Sequence, residues 1–234
     1  DPLQADLRSR WDTMTPDQQF VAAHTDPLSG MWNKAAYQGK DKLPGAHYVF
    51  SDVGALGGIN EKISTEAADA AVRATGALFK KHGFESYRQG TSSDEAAHIF
   101  REGRAGVPER LKALQADLDA AILEVEVPGQ PTRRFRRALQ LYFGEGADGS
   151  SAAKEMYAEK ATRKAAGTRA AKGELPYGMV EILASGDEVQ LHPARGSAAR
   201  AVEPAVPGPR GPEAGNVRPA DEALTPKPGA PTPG

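Results

Sequence analysis

A short apolar strand that ends in a carboxylate, followed by a glycine-bearing loop and a long amphipathic helix, constrains this chain more than any other stretch. His47-Tyr48-Val49-Phe50 reads as a buried strand. Ser51-Asp52-Val53-Gly54-Ala55-Leu56-Gly57-Gly58-Ile59-Asn60 follows, and Asp69 comes nine residues after Asn60. Glu66 to His82 is predicted to be helical, with Ala67, Ala71, Ala74, Leu78 and Phe79 on one face and Gly83 as the stop. The chemistry such a unit offers is specific. A carboxylate at a strand end can hold a hard cation, here Asp52. Loop amides around Gly57 and Gly58 can face phosphate near a helix start. Asn60 and Asp69 together carry the donors and acceptors that match a guanine edge. Each residue also has a plainer role: Asp52 as a cap on the following turn, Gly57-Gly58 as a flexible turn, Asn60 in a helix entry, and Asp69 as a solvated helix charge.

The surrounding pattern extends this unit into an α/β fold. Leu3, Leu7, Trp11 and Met14 space an amphipathic leader helix, and Thr15-Pro16-Asp17 starts a second short one. Asp26-Pro27-Leu28-Ser29-Gly30 is a turn before a helix over 33–38. Phe84 to Arg88 and Ala96 to Phe100 are predicted strands around a turn at 90–94, and Val107 to Leu123 a helix opened by Pro108. Arg133 to Phe143 reads as one strand, Ser150 to Lys172 as a helix, and 177–183 with 189–192 as a closing hairpin around Gly186-Asp187. This order predicts an α/β sandwich with a central mixed or antiparallel sheet flanked by helices. The expected domains are a helical leader over 1–25, the α/β domain over 26–192, and a proline-rich tail over 193–234. The tail holds 10 of the 18 prolines and no aromatic residue. It therefore reads as a disordered linker, or as a polyproline ligand for a small partner domain.

Composition removes several functional classes. There is no cysteine, which excludes disulfides, thiolate zinc sites and cysteine nucleophiles. The five histidines are isolated from one another, so no zinc site is expected. A net charge of −2 supplies no global field toward nucleic acid, so no specific nucleic-acid partner is expected. No apolar run is long enough to span a membrane, and no membrane partner is expected. Arg133, Arg134, Arg136 and Arg137 form a local basic cluster, either a docking edge for a polyanion or an edge strand guarded against aggregation. Asp1 opens the chain without a methionine, which leads to the expectation of a piece of a longer polypeptide.

Five segments, in order, carry a family resemblance. Asp26-Pro27-Leu28-Ser29-Gly30-Met31-Trp32-Asn33-Lys34 resembles the D-x-L-T-G-L-x-N-R opening of GGDEF (diguanylate cyclase) domains. Asp52 matches that family's metal-binding aspartate, and Asn60 and Asp69 its two guanine-contacting positions. Arg88-Gln89-Gly90-Thr91-Ser92-Ser93-Asp94-Glu95-Ala96 stands where the R-x-G-G-D-E-F hairpin belongs. Lys164, with Gly167 after it, resembles the late A-K-x-x-G phosphate-contacting motif. The resemblance covers about residues 26–170. It implies a palm-like GGDEF sandwich, Mg2+ on Asp52 and Asp94, Glu95 and Asp94 assisting deprotonation of a ribose 3′-hydroxyl, GTP as ligand, and a homodimer in which each subunit brings one nucleotide.

The departures bear on activity. Gly54 stands where a second aspartate is usual, Gly57 replaces a lysine, Ser92 and Ser93 replace the signature glycines, and Ala96 the phenylalanine. Ala161 stands where a tyrosine precedes Lys164. Serines disfavour the positive φ that glycine permits, and a missing carboxylate weakens a two-cation site. The stretch near Glu85 to Arg88 lacks the R-x-x-D of a product-binding inhibitory site. The expectation is a degenerate, catalytically impaired domain acting as a structural or protein-binding module of a larger protein. The alternatives are a GTP or cyclic-dinucleotide sensor and an active cyclase. Eroded domains of this family occur inside phage and mobile-element polypeptides, so the expected location is cytoplasmic, or virion-associated for a phage parent.

Overall fold

The computed structural model describes residues 10–90 and 94–193. Most of the leader expected at 1–25 is described, from residue 10 on. Residues 1–9, residues 91–93 with Ser92 and Ser93, and the tail beyond Pro193 lie outside the described residues.

The centre is β1 (His47–Val53), flanked antiparallel by β3 (Glu95–Phe100) and β6 (Leu141–Gly146); β2 (Glu85–Arg88) completes the order β2-β3-β1-β6. Successive side chains of a strand leave on opposite faces, and each face of this sheet has its own core. Val49 and Val53 belong to the core that also holds Ala71, Phe79, Leu114 and Leu118. Tyr48 and Phe50 belong to the opposite one, with Ala97, Ile99, Tyr142, Ala152 and Met156. Both faces are covered, so β1 reads as a continuous apolar run rather than an alternating one.

The first core is built by α4 (Thr65–Lys81), which follows α3 (Leu56–Lys62). Ser64 caps α4 by accepting from the Ala67 amide at 3.2 Å, and Gly83, at φ +69°, ends it. The predicted register holds: Ala71 and Phe79 are buried and Leu78 is half-buried against the core. Fully burying a side chain such as Phe79 contributes about 1.5–3 kcal/mol. A Cβ on Gly76 would stand 2.1 Å from the Ser29 carbonyl oxygen, so the opening turn lies directly on this helix. Before β1 come α1 (Pro16–His24), with a Thr15/Gln18 capping box, and α2 (Lys34–Tyr37), both near their predicted positions.

The second core face is covered by α6 (Gly149–Ala165), packed along β6 and β1. It opens on an Asp148 cap and ends at Ala165 rather than at Lys172, because Gly167 turns the backbone at φ +61°. The helix α5 (Val107–Ala120) also stops short of its predicted end. The alternating burial of Ile122, Leu123, Glu124 and Val125 is that of a strand, β4 (Ile122–Val125). The stretch from Arg133 to Phe143 is not one strand. It breaks at Arg137 (φ +57°) into β5 (Arg133–Arg136) and β6, which join different sheets. With the hairpin β7 (Val180–Ile182) and β8 (Glu188–Gln190), a second antiparallel sheet has the order β4-β5-β7-β8. The fold is thus α/β, with antiparallel sheets flanked by helices.

In that second sheet three of the four clustered arginines reach glutamates of other strands. Arg133 pairs with Glu181 at 2.7 Å, Arg134 with Glu124 at 3.2 Å and Arg136 with Glu188 at 2.5 Å. Three of the four charges are thus balanced within the sheet itself.

Candidate functional site

Strand parity places the key carboxylate. Counting from Tyr48 and Phe50, Asp52 faces the α6 side of the sheet, and its Cα partners are Glu95 on β3 and Tyr142 on β6. Asp52 is only 2 % exposed. Lys160 of α6 donates to its Oδ2 at 2.6 Å. One turn earlier on the same helix face, the Tyr157 hydroxyl donates to Glu95 Oε1 at 2.5 Å. Burial raises the Asp52 carboxyl most strongly, Lys160 pulls it down, and the charges of Asp94 and Glu95 push it up again, leaving it at about 6. The hydrogen bond to Glu95, with some burial, lifts the Tyr157 phenol to about 12.

Beside Asp52 opens a cleft of about 560 Å³. Asp52, Asp94 and the start of α3 with Gly57 and Gly58 line it, and so do the cationic wall residues Lys164, Arg169 and Lys172. Carboxylates and cations thus line one space of ligand size. The two glycines differ. Gly57 is exposed with open space beyond it, whereas a Cβ on Gly58 would stand 2.0 Å from the Glu174 carbonyl oxygen. The segment after α6 lies on Gly58, and a 2.6 Å ion pair between Lys62 and Glu174 holds it there. Both glycines belong to the first turn of α3 rather than to a free loop, which corrects the flexible-turn reading.

Asn60 is exposed on α3 and Asp69 is half-buried on α4; neither lines the cleft. The position expected to carry a second aspartate is closed by packing, since a Cβ on Gly54 would meet Tyr142 Cε2 at 2.7 Å. Among the described residues no three His, Asp or Glu side chains converge as a metal site. With Asp52 Oδ2 engaged by an ammonium group and no carboxylate at Gly54, the residues present do not fit a two-cation centre.

The opening motif and the hairpin motif meet away from the cleft. Arg88 donates to Asp26 Oδ1 at 2.9 Å, with both side chains buried. Burial alone would raise the Asp26 carboxyl; hydrogen bonds from the Ser29 hydroxyl and amide, and from Arg88, hold it below its ordinary value.

Sequence reasoning missed Lys160, Tyr157, Arg169 and Lys172. One signal was present: Tyr157-x-x-Lys160 has the tyrosine–lysine spacing sought at Ala161 and Lys164, one helical turn earlier.

No family model and no curated protein matches the sequence. Solved structures do. The coiled coil and GGDEF domain of DgcB from Caulobacter crescentus, in complex with c-di-GMP, is 16% identical, covers 71% of this chain and 92% of that one, and superposes with a TM-score of 0.51. A sensory box/GGDEF family protein from Caulobacter crescentus is 18% identical over 59% of this chain and 99% of that one, with a TM-score of 0.47. The GGDEF domain of TpbB from Pseudomonas aeruginosa is 16% identical over 64% of this chain and 92% of that one, with a TM-score of 0.48. The sheet order, the carboxylate at the end of β1 and the likeness to DgcB agree: this chain has the fold of a GGDEF domain.

Proposed function

We propose that this domain is a catalytically silent GGDEF-fold unit that serves as a structural or protein-binding module of a larger polypeptide. One observation carries the reading: Lys160 Nζ sits 2.6 Å from Asp52 Oδ2, inside the protein. An ammonium group supplies the positive charge that a buried carboxylate requires, but it offers neither the open coordination positions nor the doubled charge through which a metal clamps phosphoryl oxygens. Gly54, pressed against Tyr142, removes the second carboxylate in the same place. The test is incubation of the full chain with GTP and Mg2+ or Mn2+, followed by separation of the products. No cyclic di-GMP is expected. Turnover that vanishes in Asp52→Ala would overturn the proposal and establish a cyclase.

A second reading is favoured by the cationic wall of the cleft. Lys164, Arg169 and Lys172 give a phosphate-bearing ligand such as GTP a place to sit without turnover. Because Asn60 and Asp69 do not line the cleft, binding on this reading depends on the cationic wall. Lys164→Ala is expected to weaken GTP binding several-fold, while Asp69→Ala is expected to leave it nearly unchanged. A loss confined to Asp69→Ala would restore the guanine-contact role implied by the resemblance.

A further inference from the structure

We infer a second binding site for a small phosphate-bearing ligand, next to the cleft, where the chain crosses from one sheet to the other. At that crossing lies a cavity of about 390 Å³, within the range of small-molecule sites. Arg137 and Arg163 line it, Gln140 adds an amide, and Leu139 and Leu141 form an apolar surface. Such a mixture suits a dianionic group attached to a small, partly apolar body.

Three features set Arg137 apart. It is one of only two non-glycine residues with positive φ among the described residues, at +57°. Glycine or asparagine would make that bend at lower cost, so a long cationic side chain there is not explained by the backbone. Its neighbours Arg133, Arg134 and Arg136 each reach a glutamate, whereas Arg137 has no ion pair among the described residues. Finally, Arg137 shares the cavity with a second guanidinium, that of Arg163, which lies over the Tyr142 ring at 5.4 Å and pairs with Glu159. Two guanidiniums lining one pocket supply the fork-shaped donors by which arginine grips phosphate. One carboxylate, Asp119, also lines the cavity, and Gln115 donates to it at 2.9 Å. The cavity adjoins the cleft beside Asp52, with Tyr177 lining both, but its cations Arg137 and Arg163 do not line that cleft, so variants at Arg137 and at Lys164 tell the two sites apart.

The test uses the full chain in thermal unfolding with inorganic phosphate, against sodium chloride of matched ionic strength. Phosphate is expected to raise the Tm of the wild type and of Arg134→Gln, but not of Arg137→Gln or Arg137→Gly. Arg137→Gly relieves the backbone, so it is expected to keep the wild-type Tm in chloride; its loss of response then reports binding rather than damage. A wild type that responds equally to phosphate and chloride, or an Arg137→Gly protein that still responds to phosphate, overturns the site. Lys164→Ala serves as the counter-test: a phosphate response abolished by Lys164→Ala but retained by Arg137→Gln assigns the ion to the cleft and refutes the second site.

Discussion

Lys160 on α6 and Asp52 at the end of β1 meet at 2.6 Å across 108 residues of sequence, and the pair is almost wholly enclosed. It ties the helix to the central strand at the point where the fold opens into its cleft. Asp52 is raised from its ordinary 3.8 to about 6. Its contribution to stability is therefore full below about pH 4 and lost as the pH climbs through 6. Lys160 limits that loss. Lys160→Met is expected to cost about 3 kcal/mol at pH 8, because it leaves a buried carboxylate unpaired, and clearly less at pH 5. Urea unfolding at the two pH values checks this; equal losses would mean that Lys160 acts through packing alone.

The Asp26–Arg88 pair makes a parallel case between two sequence motifs. Both side chains are about 5 % exposed, so removing one partner takes a counter-charge from the other inside the protein. Arg88→Met is expected to destabilise the domain by about 3–5 kcal/mol. The double variant Asp26→Leu/Arg88→Met should cost less than the sum of the single changes. Strict additivity in denaturant titrations would show that the two do not act as a unit.

Gly144 sets how closely α6 approaches the sheet. A Cβ there would lie 2.0 Å from the Met156 amide nitrogen and 2.3 Å from the Ala152 carbonyl oxygen. Gly144→Ala must push the helix outward, at an expected cost of about 1–3 kcal/mol. Since α6 carries Tyr157 and Lys160, slower folding or a loosened Asp52 environment should accompany the loss. An unchanged Tm would show that the helix shifts freely.

His98 gives a pH signature from the other core. It is fully buried between Ser51 and Ser86, with ring nitrogens 2.8 Å from each hydroxyl, and Phe79 lies against it. Burial depresses it from 6.5 to about 3. Stability from the neutral ring is complete above about pH 6.5 and falls as the pH drops toward 3, by up to about 1.4 kcal/mol per pH unit. Asp52 acts in the opposite sense between about 4 and 6, so only a comparison isolates the histidine. In His98→Gln the acid-side slope should flatten relative to wild type; matching slopes from pH 4 to 7 would contradict the assignment.

Much of the framework was legible because its signals are local. The 3.6-residue spacing of small and apolar residues, Ser64 before them and Gly83 after, defines α4 without reference to anything else. The alternation from Tyr48 through Phe50 to Asp52 likewise determines which face of β1 bears the carboxylate, once the strand is recognised. The ordered motifs also pointed to the GGDEF fold that the structure has. The break at Arg137 was not legible, because an arginine is an unfavoured choice for positive φ and Arg133 to Phe143 otherwise alternates like one strand. The strand β4 was absorbed into the preceding helix, since a leucine-rich helix end and a short alternating strand share residue types.

The candidate site divides in the same way. Sequence alone determined that a carboxylate stands at the end of a buried strand, with glycines and a lysine-rich helix elsewhere in the chain. Only the tertiary structure decided that Lys160, rather than Lys164, reaches Asp52, that Glu174 lies on Gly58, and that Tyr142 closes position 54. Those contacts join segments as far as 116 residues apart, the separation of Gly58 and Glu174. Local periodicity sets which face of an element a side chain occupies; which distant side chain it meets depends on how α6 seats against the sheet, which the close approach at Gly144 controls.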